Sequence, residues 1–235
     1  MPNAYPVSTW YPALASYTFP TVFVSLTPSQ LAALGDGQTS GPDVDQVCDL
    51  LHRAIHSVPG SAYVHADFCA PTDAPAFAHS SAVRNGRQAW NLLAASEKVR
   101  NACKRGDTHR LGVHSYRRLD PVREFRLFIK GRRLLAMSQM RLNRHYRRLE
   151  GHRHYLWSEA QRLTTDIAPF LPADDLTVDV YMTSAPSLMV IDLNGWGPPV
   201  DPLLLRTWSQ PWDKEIGLRL IPPPTRLSGD VEVSF

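Results

Sequence analysis

Two pairs of strand-like segments, each joined by a short turn, constrain the fold of this chain more than any other feature. The first pair, "VREFRLFIK" and "RRLLAMSQM", meets at Lys130-Gly131, and the second, "LTVDVYM" and "SLMVIDLN", is joined through residues 183–186. Segments this close in sequence favour antiparallel hairpins. Helical patterns precede and separate the hairpins, so we expect an α+β fold and not the regular βαβ order of a doubly wound sheet.

Helical patterns before and between the hairpins fill out the expected order of elements. Thr27 followed by Pro28 begins a helix in "TPSQLAAL", because threonine caps helix ends and proline is favoured in the first turn. Apolar residues at helical spacing predict further helices in "DVDQVCDLLHRAIHSV" and "LWSEAQRLTTDIAPFL". The segment "NGRQAWNLLAASEKVRNACKRG" is expected to form one helix that ends at Gly106. Apolar runs in "TFPTVFVSL" and "SAYVHADFC" predict strands.

Composition and cysteine use exclude several classes of protein. No stretch approaches the roughly 18 to 20 uninterrupted apolar residues of a membrane span, and the first ten residues, MPNAYPVSTW, lack the pattern of a signal peptide. A cytoplasmic location away from membranes is therefore expected. The three cysteines contain no C-x-x-C pair, which argues against a disulfide scaffold and a structural zinc site. Cys69 follows an apolar strand, where an inert thiol is expected.

A basic stretch, "RLNRHYRRLEGHR", carries more positive charge than the mild net charge of +3 suggests. Spacings of three and four residues would gather several arginines on one helical face. A solvated surface is the ordinary interpretation of such a run. The alternative is RNA or phosphate contact, because guanidinium groups pair with phosphate and Tyr146 could stack on a base. The arginines in question are Arg141, Arg144, Arg147 and Arg148.

The end of the second hairpin places acidic groups directly after an apolar run. Residues 188–191 read as a strand buried on both faces, and Asp192 and Asn194, two residues apart, project from the same face. Asp179 lies on the partner strand and Asp201 follows. A simple Asp-x-Asn-Gly turn is one interpretation. The other is a Mg²⁺ site, because neighbouring carboxylates repel unless a cation or proton separates them.

The first hairpin offers a second charged group, formed by Glu124, Arg126 and Lys130. Glu124 and Arg126 project from one face, so they form either an ordinary ion pair or a phosphate clamp whose arginine is oriented by the carboxylate. Neither a G-x-x-x-x-G-K-[ST] nor a G-x-G-x-x-G motif occurs, and no G-x-S-x-G marks a serine nucleophile. If phosphates are bound, glycine loops are not the means.

Four ordered segments resemble the cell division cycle protein 123 family, a divergent branch of the ATP-grasp fold. They span Trp10 to Trp208 and are "WYPALASYTFPTVFVSL", "VHADFCAPTDA", "VREFRLFIKGRRLLAMSQ" and "VDVYMTSAPSLMVIDLNGWGPPVDPLLLRTW". The resemblance implies an ATP-grasp-like fold of two subdomains with antiparallel sheets and a nucleotide cleft between them. We expect a helix-rich subdomain over residues 1–110 and a second, with the metal-binding hairpin, over 111–235. Because the chain ends soon after the last motif, a compact, bacterial-type member is expected.

The resemblance also implies ATP and Mg²⁺ as cofactors and assigns residues to them. Asp192 and Asn194 are the implied metal ligands, with Asp179 assisting. Glu124 and Arg126 are the implied catalytic residues, and the implied nucleotide contacts are His65, His114, Arg126, Lys130 and Asp179. His65 and His114 stand where the family carries lysine and arginine, and Thr72 stands where it carries another lysine. A neutral imidazole brings no charge to a phosphate, so these replacements alter the expected pocket.

Three functions from different classes follow from this resemblance. The first is an ATP-dependent ligase-type enzyme that modifies a protein, peptide or RNA acceptor. The second is a non-catalytic assembly chaperone of the translation initiation factor 2 type. The third is an RNA-binding protein with a degenerate nucleotide pocket, for which the basic stretch would be the binding surface.

Overall fold

The computed structural model of the chain describes residues 5–78, 81–185 and 187–224, and these form two sheets with helices. The first sheet contains β1 (Thr21–Ser25), β2 (Ala62–Ala66) and β3 (Arg110–Ser115), in the order β1-β3-β2. The second contains β4 (Glu124–Lys130), β5 (Arg133–Gln139), β6 (Leu176–Met182), β7 (Leu188–Gly195) and β8 (Gly217–Arg219), in the order β7-β6-β4-β5-β8. All strand pairs are antiparallel except β5 with β8. The expected α+β class and both expected hairpins are confirmed.

Seven α-helices accompany the sheets in the described residues: α1 (Val7–Leu14), α2 (Pro28–Gly35), α3 (Pro42–His56), α4 (Gly86–Ala95), α5 (Glu97–Arg105), α6 (Arg147–Gly151) and α7 (Arg153–Ile167). Helix α2 begins as expected. The Thr27 hydroxyl accepts a hydrogen bond from the backbone amide of Gln30, and the Gln30 side-chain oxygen accepts one from the backbone amide of Thr27. Among the described helices, none combines the length and hydropathy that a transmembrane span requires.

The prediction of one continuous helix over 85–106 is wrong, because the chain bends at Ser96. Ser96 has an extended backbone, with φ −83° and ψ 121°, which ends α4 and caps α5. Its hydroxyl accepts the Val99 amide and donates to the Asp73 carboxylate at 2.5 Å. Asp73 also accepts the amide of Lys98 at 3.0 Å. A side chain from a distant loop therefore divides the segment into two helices.

Residues 5–18 connect the two sheets. Trp10 and Leu14 of α1 are buried in the core of the second sheet, and the Thr18 hydroxyl donates to the Val190 carbonyl of β7 at 2.8 Å. The beginning of α1 is bound to the first sheet, because Asp67, just after β2, accepts the amide and the hydroxyl of Ser8 at 2.8 Å each. The first sheet extends to Ser115, beyond residue 110, since β3 lies between β1 and β2. Residues before 110 thus contribute to both cores.

Other elements cover both faces of the second sheet, but the edge strand β7 is only partly buried. Helix α7 packs on one face, and residues from 196 to 216 cover the other, where three tryptophans surround Phe128. Strand β7 lies at the edge of the sheet, and its apolar residues Met189 and Ile191 are only half-buried. The prediction that 188–191 is buried on both faces is therefore wrong. Pro186 of the second hairpin and the tail 225–235 lie outside the described residues.

Candidate functional site

A cavity of about 490 Å³ lies between the two sheets. The first sheet contributes Tyr63 and His65 from β2 and His114 from β3. The second sheet contributes Glu124 from β4 and Asp192 from β7. A volume of this size is typical of small-molecule sites, which measure roughly 300 to 1,000 Å³. With Trp10 and Phe19 also in its lining, the cavity brings together residues from all four sequence motifs.

One wall of the cavity is a cluster of aromatic rings. The ring of His114 is 5.0 Å from that of Tyr63, 5.9 Å from that of His65, and stacked on Phe19 at 5.8 Å, centroid to centroid. His65 lies directly opposite Gly112 in the register of β2 with β3. A Cβ atom at Gly112 would be only 2.2 Å from His65 Nε2. Glycine at this position therefore leaves the space in which the imidazole of His65 lies across β3.

Both histidines of this wall are held by backbone carbonyls. Nδ1 of His65 is 2.9 Å from the Ala66 carbonyl oxygen, and Nδ1 of His114 is 3.0 Å from that of Ser115. Burial lowers the pKa of His65. Burial, followed by the neighbouring His65, lowers the pKa of His114 to about 4. Both imidazoles are therefore neutral at physiological pH.

The opposite wall is built on a row of charged residues across the second sheet. Arg126 pairs with Asp179 in the register of β4 with β6, and Asp179 pairs with Asp192 in that of β6 with β7. The Arg126 guanidinium donates to both oxygens of Asp179, from Nε at 2.7 Å and from Nη2 at 2.8 Å. Its Nη1 donates to the Asp201 carbonyl at 2.9 Å. Arg126 and Asp179 are buried, at 8% and 7% exposure.

Asp192 is the carboxylate of this row that reaches the cavity. One oxygen of Asp192 accepts a hydrogen bond from the backbone amide of Leu193 at 2.9 Å. Its other oxygen is 3.5 Å from the side-chain nitrogen Nδ2 of Asn194. Burial, followed by the charge of Asp179, raises the pKa of Asp192 to about 7. Burial and then Asp179 also raise the pKa of Glu124. Carboxylates in this state gain from a nearby cation, because it offsets the energetic cost of their charge.

The donor set fits Mg²⁺ in part. Asp192 and Asn194 lie two residues apart on β7, and Asp192 lines the cavity whereas Asn194 does not. Asp179, expected to assist, has both oxygens bound by Arg126. Within the described ranges, no group of three His, Cys, Asp or Glu residues could hold a metal ion. An ion held by Asp192 and Asn194 would draw its other ligands from phosphate and water, as Mg²⁺ commonly does.

Four of the expected site residues do not line the cavity: Arg126, Lys130, Asp179 and Asn194. Arg126 is not among the residues that line it, because its guanidinium is bound by Asp179 and Asp201. Lys130 is exposed at the turn between β4 and β5, at the opposite end of β4 from Glu124. The structure therefore gives Arg126 a positioning role for Asp179, and it does not bring Lys130 to the site.

The cavity is also lined by residues that the sequence did not single out, among them Arg117, Arg118 and Trp10. Arg117 and Arg118 follow β3, are exposed and line the cavity. The guanidinium of Arg117 is 5.9 Å from the ring of Phe19. Trp10 is 3% exposed and also lines the cavity, and its Nε1 has no hydrogen-bond partner among the described residues. The adjacent arginines after a strand were a visible signal, whereas the position of Trp10 depends on the packing of α1.

The basic stretch does not form the expected helical face. Only residues 147–151 of it belong to α6, and Arg141 and Arg144 precede that helix in an irregular segment. Arg144 lies over the ring of Tyr146 at 5.1 Å, and Arg148 pairs with Asp120 at 2.6 Å. The prediction of one helical row of arginines is therefore wrong, although the arginines remain exposed.

Comparisons with known proteins agree on one family. The family model described as D123 matches residues 35–217. A Danio rerio protein named translation initiation factor eIF2 assembly protein is 28% identical over 110 residues, 43% of this chain and 29% of that protein. The cell division cycle protein 123 of Phaeosphaeria nodorum is 25% identical over 202 residues, 74% of this chain and 51% of that protein. The chain thus spans about half of these curated relatives or less.

A solved structure shares the fold. The C-terminally truncated Cdc123 from Schizosaccharomyces pombe superposes with a TM-score of 0.79 at 21% identity, over 92% of this chain and 95% of that one. At this level of identity the match concerns the fold alone.

Proposed function

The chain belongs to the D123 family, and from this premise we propose that it binds ATP together with Mg²⁺ in the cavity between its sheets. The observation that carries the proposal is the placement of Asp192 at one wall, with Asn194 two residues further along β7, opposite the ring cluster around His114 across a cavity of about 490 Å³. A nucleoside triphosphate suits both walls, because its flat base can stack on rings and its anionic chain can bind a metal.

The residues of the second sheet would prepare the metal side of the site. Arg126 holds Asp179 through two hydrogen bonds and so fixes the neighbour of Asp192. Asp192 and Asn194 then present oxygens to the ion, and Glu124 lies at the same wall. Mg²⁺, when bound, would neutralise phosphate oxygens. Arg117 and Arg118 line the cavity without an ion pair to any carboxylate of the described residues, so they are available to an anionic chain.

The activity proposed for this site is that of an ATP-dependent ligase-type enzyme with a protein, peptide or RNA acceptor. Positioning and charge neutralisation would supply most of the catalysis, as they do in phosphoryl transfer generally. Because Arg126 is occupied by Asp179, the exposed pair Arg117 and Arg118 is better placed than Arg126 to contact transferring phosphate. A cytoplasmic location belongs to the same proposal.

Calorimetric titration of the full chain with ATP, with and without Mg²⁺, tests nucleotide binding. We expect binding that needs Mg²⁺ and is lost in Asp192→Ala. The matched control is Asp213→Ala, an exposed aspartate outside the cavity lining, which should bind like the unmodified chain. Equal Mg-ATP affinity in Asp192→Ala and Asp213→Ala would remove the metal assignment.

A second candidate function is assistance to the assembly of a protein complex. It is favoured by the relative from Danio rerio, whose name describes an assembly protein for translation initiation factor eIF2. Release of ADP or AMP in the presence of candidate acceptors would support the ligase-type activity. A stoichiometric complex with a protein partner, controlled by ATP and without turnover, would support the assembly role.

A further inference from the structure

We infer that His114, with His65 beside it, accepts a hydrogen bond from the base of the bound nucleotide, so that the cavity selects a base with an exocyclic amino group. The inference rests on the proposed nucleotide site and assigns the ring-lined wall to the base. It differs from the expectation that these histidines replace a lysine and an arginine in contact with phosphate.

The hydrogen bonds of the two imidazoles determine which nitrogen can accept. A backbone carbonyl only accepts, so the Nδ1 atoms that lie 2.9 Å and 3.0 Å from the carbonyls of Ala66 and Ser115 must carry the hydrogen. In a neutral imidazole the other nitrogen, Nε2, then has a free lone pair. Neither Nε2 has a hydrogen-bond partner among the described residues. Nε2 of His65 lies against Gly112, so Nε2 of His114 is the acceptor that the wall offers, and neither imidazole offers a second donor.

The charges around His114 preserve this state. From β2 it faces His65 and Tyr63, and from the segment after β3 it faces Arg117. Burial raises the pKa of Tyr63, so that ring is uncharged. Burial, His65 and Arg117 all lower the pKa of His114, and no carboxylate of the described residues opposes them. A lone pair directed at an anionic phosphate oxygen would be repelled, whereas an amino group would be bound.

The surroundings of the His114 acceptor suit a flat base. Phe19, Tyr63 and the two imidazoles supply ring surface on one side of the cavity. Arg117 and Arg118 line its edge, and Asp192 lies on the second sheet. Aromatic surfaces bind bases by stacking, and charged groups bind phosphates and metals. The base therefore belongs at the histidine wall and the triphosphate between the arginines and Asp192.

The test compares three triphosphates by calorimetry at pH 7.5 with Mg²⁺. ATP carries the 6-amino group, purine riboside triphosphate lacks it, and inosine triphosphate has a carbonyl in its place. We expect ATP to bind roughly tenfold more tightly than purine riboside triphosphate, since one net hydrogen bond is lost. Inosine triphosphate should bind more weakly still, because its carbonyl would face a lone pair.

Two variants assign the preference to the histidine wall. His114→Phe keeps a ring and removes the acceptor, so the ratio between ATP and purine riboside triphosphate should fall to about one. Gly112→Ala should displace the ring of His65 and lower the ratio in part. The matched control is His56→Phe, because His56 on the surface of α3 has the same Nδ1 contact to a carbonyl, that of His52.

Each outcome decides between the inference and the proposed function. A ratio near one in the unmodified chain, or an unchanged ratio in His114→Phe, overturns the inference and leaves nucleotide binding intact. Absence of binding by all three triphosphates overturns the proposed function itself. A ratio that falls in His114→Phe and not in His56→Phe supports the inference.

Discussion

Replacing Arg126 with methionine should lower the free energy of unfolding by about 3–5 kcal/mol, the usual cost of removing one partner from a buried ion pair. The change deletes both hydrogen bonds to Asp179 and the bond to the Asp201 carbonyl. It leaves the Asp179 carboxylate, whose side chain is 10% exposed, without a counter-charge and directly opposite Asp192. At roughly 2–4 °C per kcal/mol for a chain of this size, the melting temperature should fall by about 6–20 °C.

The assay is equilibrium unfolding in urea, followed by tryptophan fluorescence. Trp196, Trp208 and Trp212 pack around Phe128 on the second sheet, so they report on the sheet that carries the ion pair. The matched control is Arg87→Met, which removes the partner of Asp45 in a pair whose side chains are 45% and 62% exposed. That change should cost far less stability than Arg126→Met, because solvent screens an exposed ion pair.

A double variant separates the cost of an unpaired charge from lost packing. Arg126→Met combined with Asp179→Leu removes both charges and keeps apolar volume, so most of the lost stability should return. The reasoning fails if Arg126→Met is no more destabilising than Arg87→Met. It also fails if the double variant is as unstable as Arg126→Met alone, since the unpaired carboxylate would then not be the cause.

Three further changes test other parts of the site. If the ligand pairs with the indole N–H of Trp10, which is buried and has no hydrogen-bond partner among the described residues, Trp10→Phe should weaken ATP binding several-fold in calorimetry; equal affinity would exclude such a contact. Between pH 6.5 and 4, His114 takes up a proton in the unfolded chain but stays neutral in the folded one, because folding lowers its pKa to about 4. The free energy of unfolding should therefore decrease by roughly 2–3 kcal/mol as the pH falls over this range. Urea unfolding of His114→Phe should lack this part of the pH dependence. RNA contact through the exposed arginines is a hypothesis: if it holds, changing Arg144, Arg147 and Arg148 to serine should weaken RNA binding and reduce its salt dependence by about one unit per lost phosphate contact. A chain that binds no RNA at low salt would end the hypothesis.

Features that depend on neighbouring residues were predictable from the sequence. The start of α2 needs only Thr27 and Gln30, three residues apart, and the structure has that pair of hydrogen bonds. The hairpin of β4 and β5 needs a turn that tolerates positive φ, and its Gly131 and Arg132 have φ 55° and 60°. Local hydrogen bonds and backbone preferences act whatever the rest of the chain does, so their residues carry the signal.

The break at Ser96 was not predictable in this way. The helical pattern of apolar residues continues through it, and serine alone does not end a helix. Asp73, which lies 23 residues earlier, binds the Ser96 hydroxyl and the Lys98 amide. The contact exists only because α4 and α5 pack beside that loop, and no sequence pattern near Ser96 records it.

The site shows the same division between sequence and tertiary structure. The order of the motifs along the chain indicated the family from the sequence alone. The spacing of Asp192 and Asn194 indicated the acidic strand, because both residues lie within one strand. Strand register and burial decided three other features of the site: the ion pair of Arg126 with Asp179, the distance of Lys130 from the cavity, and the carbonyl contacts of the two histidines. Strand register places residues that are far apart in the chain next to each other, and burial determines which ionisable side chains remain charged. Residue types alone therefore determined neither the partner of a side chain nor its protonation state.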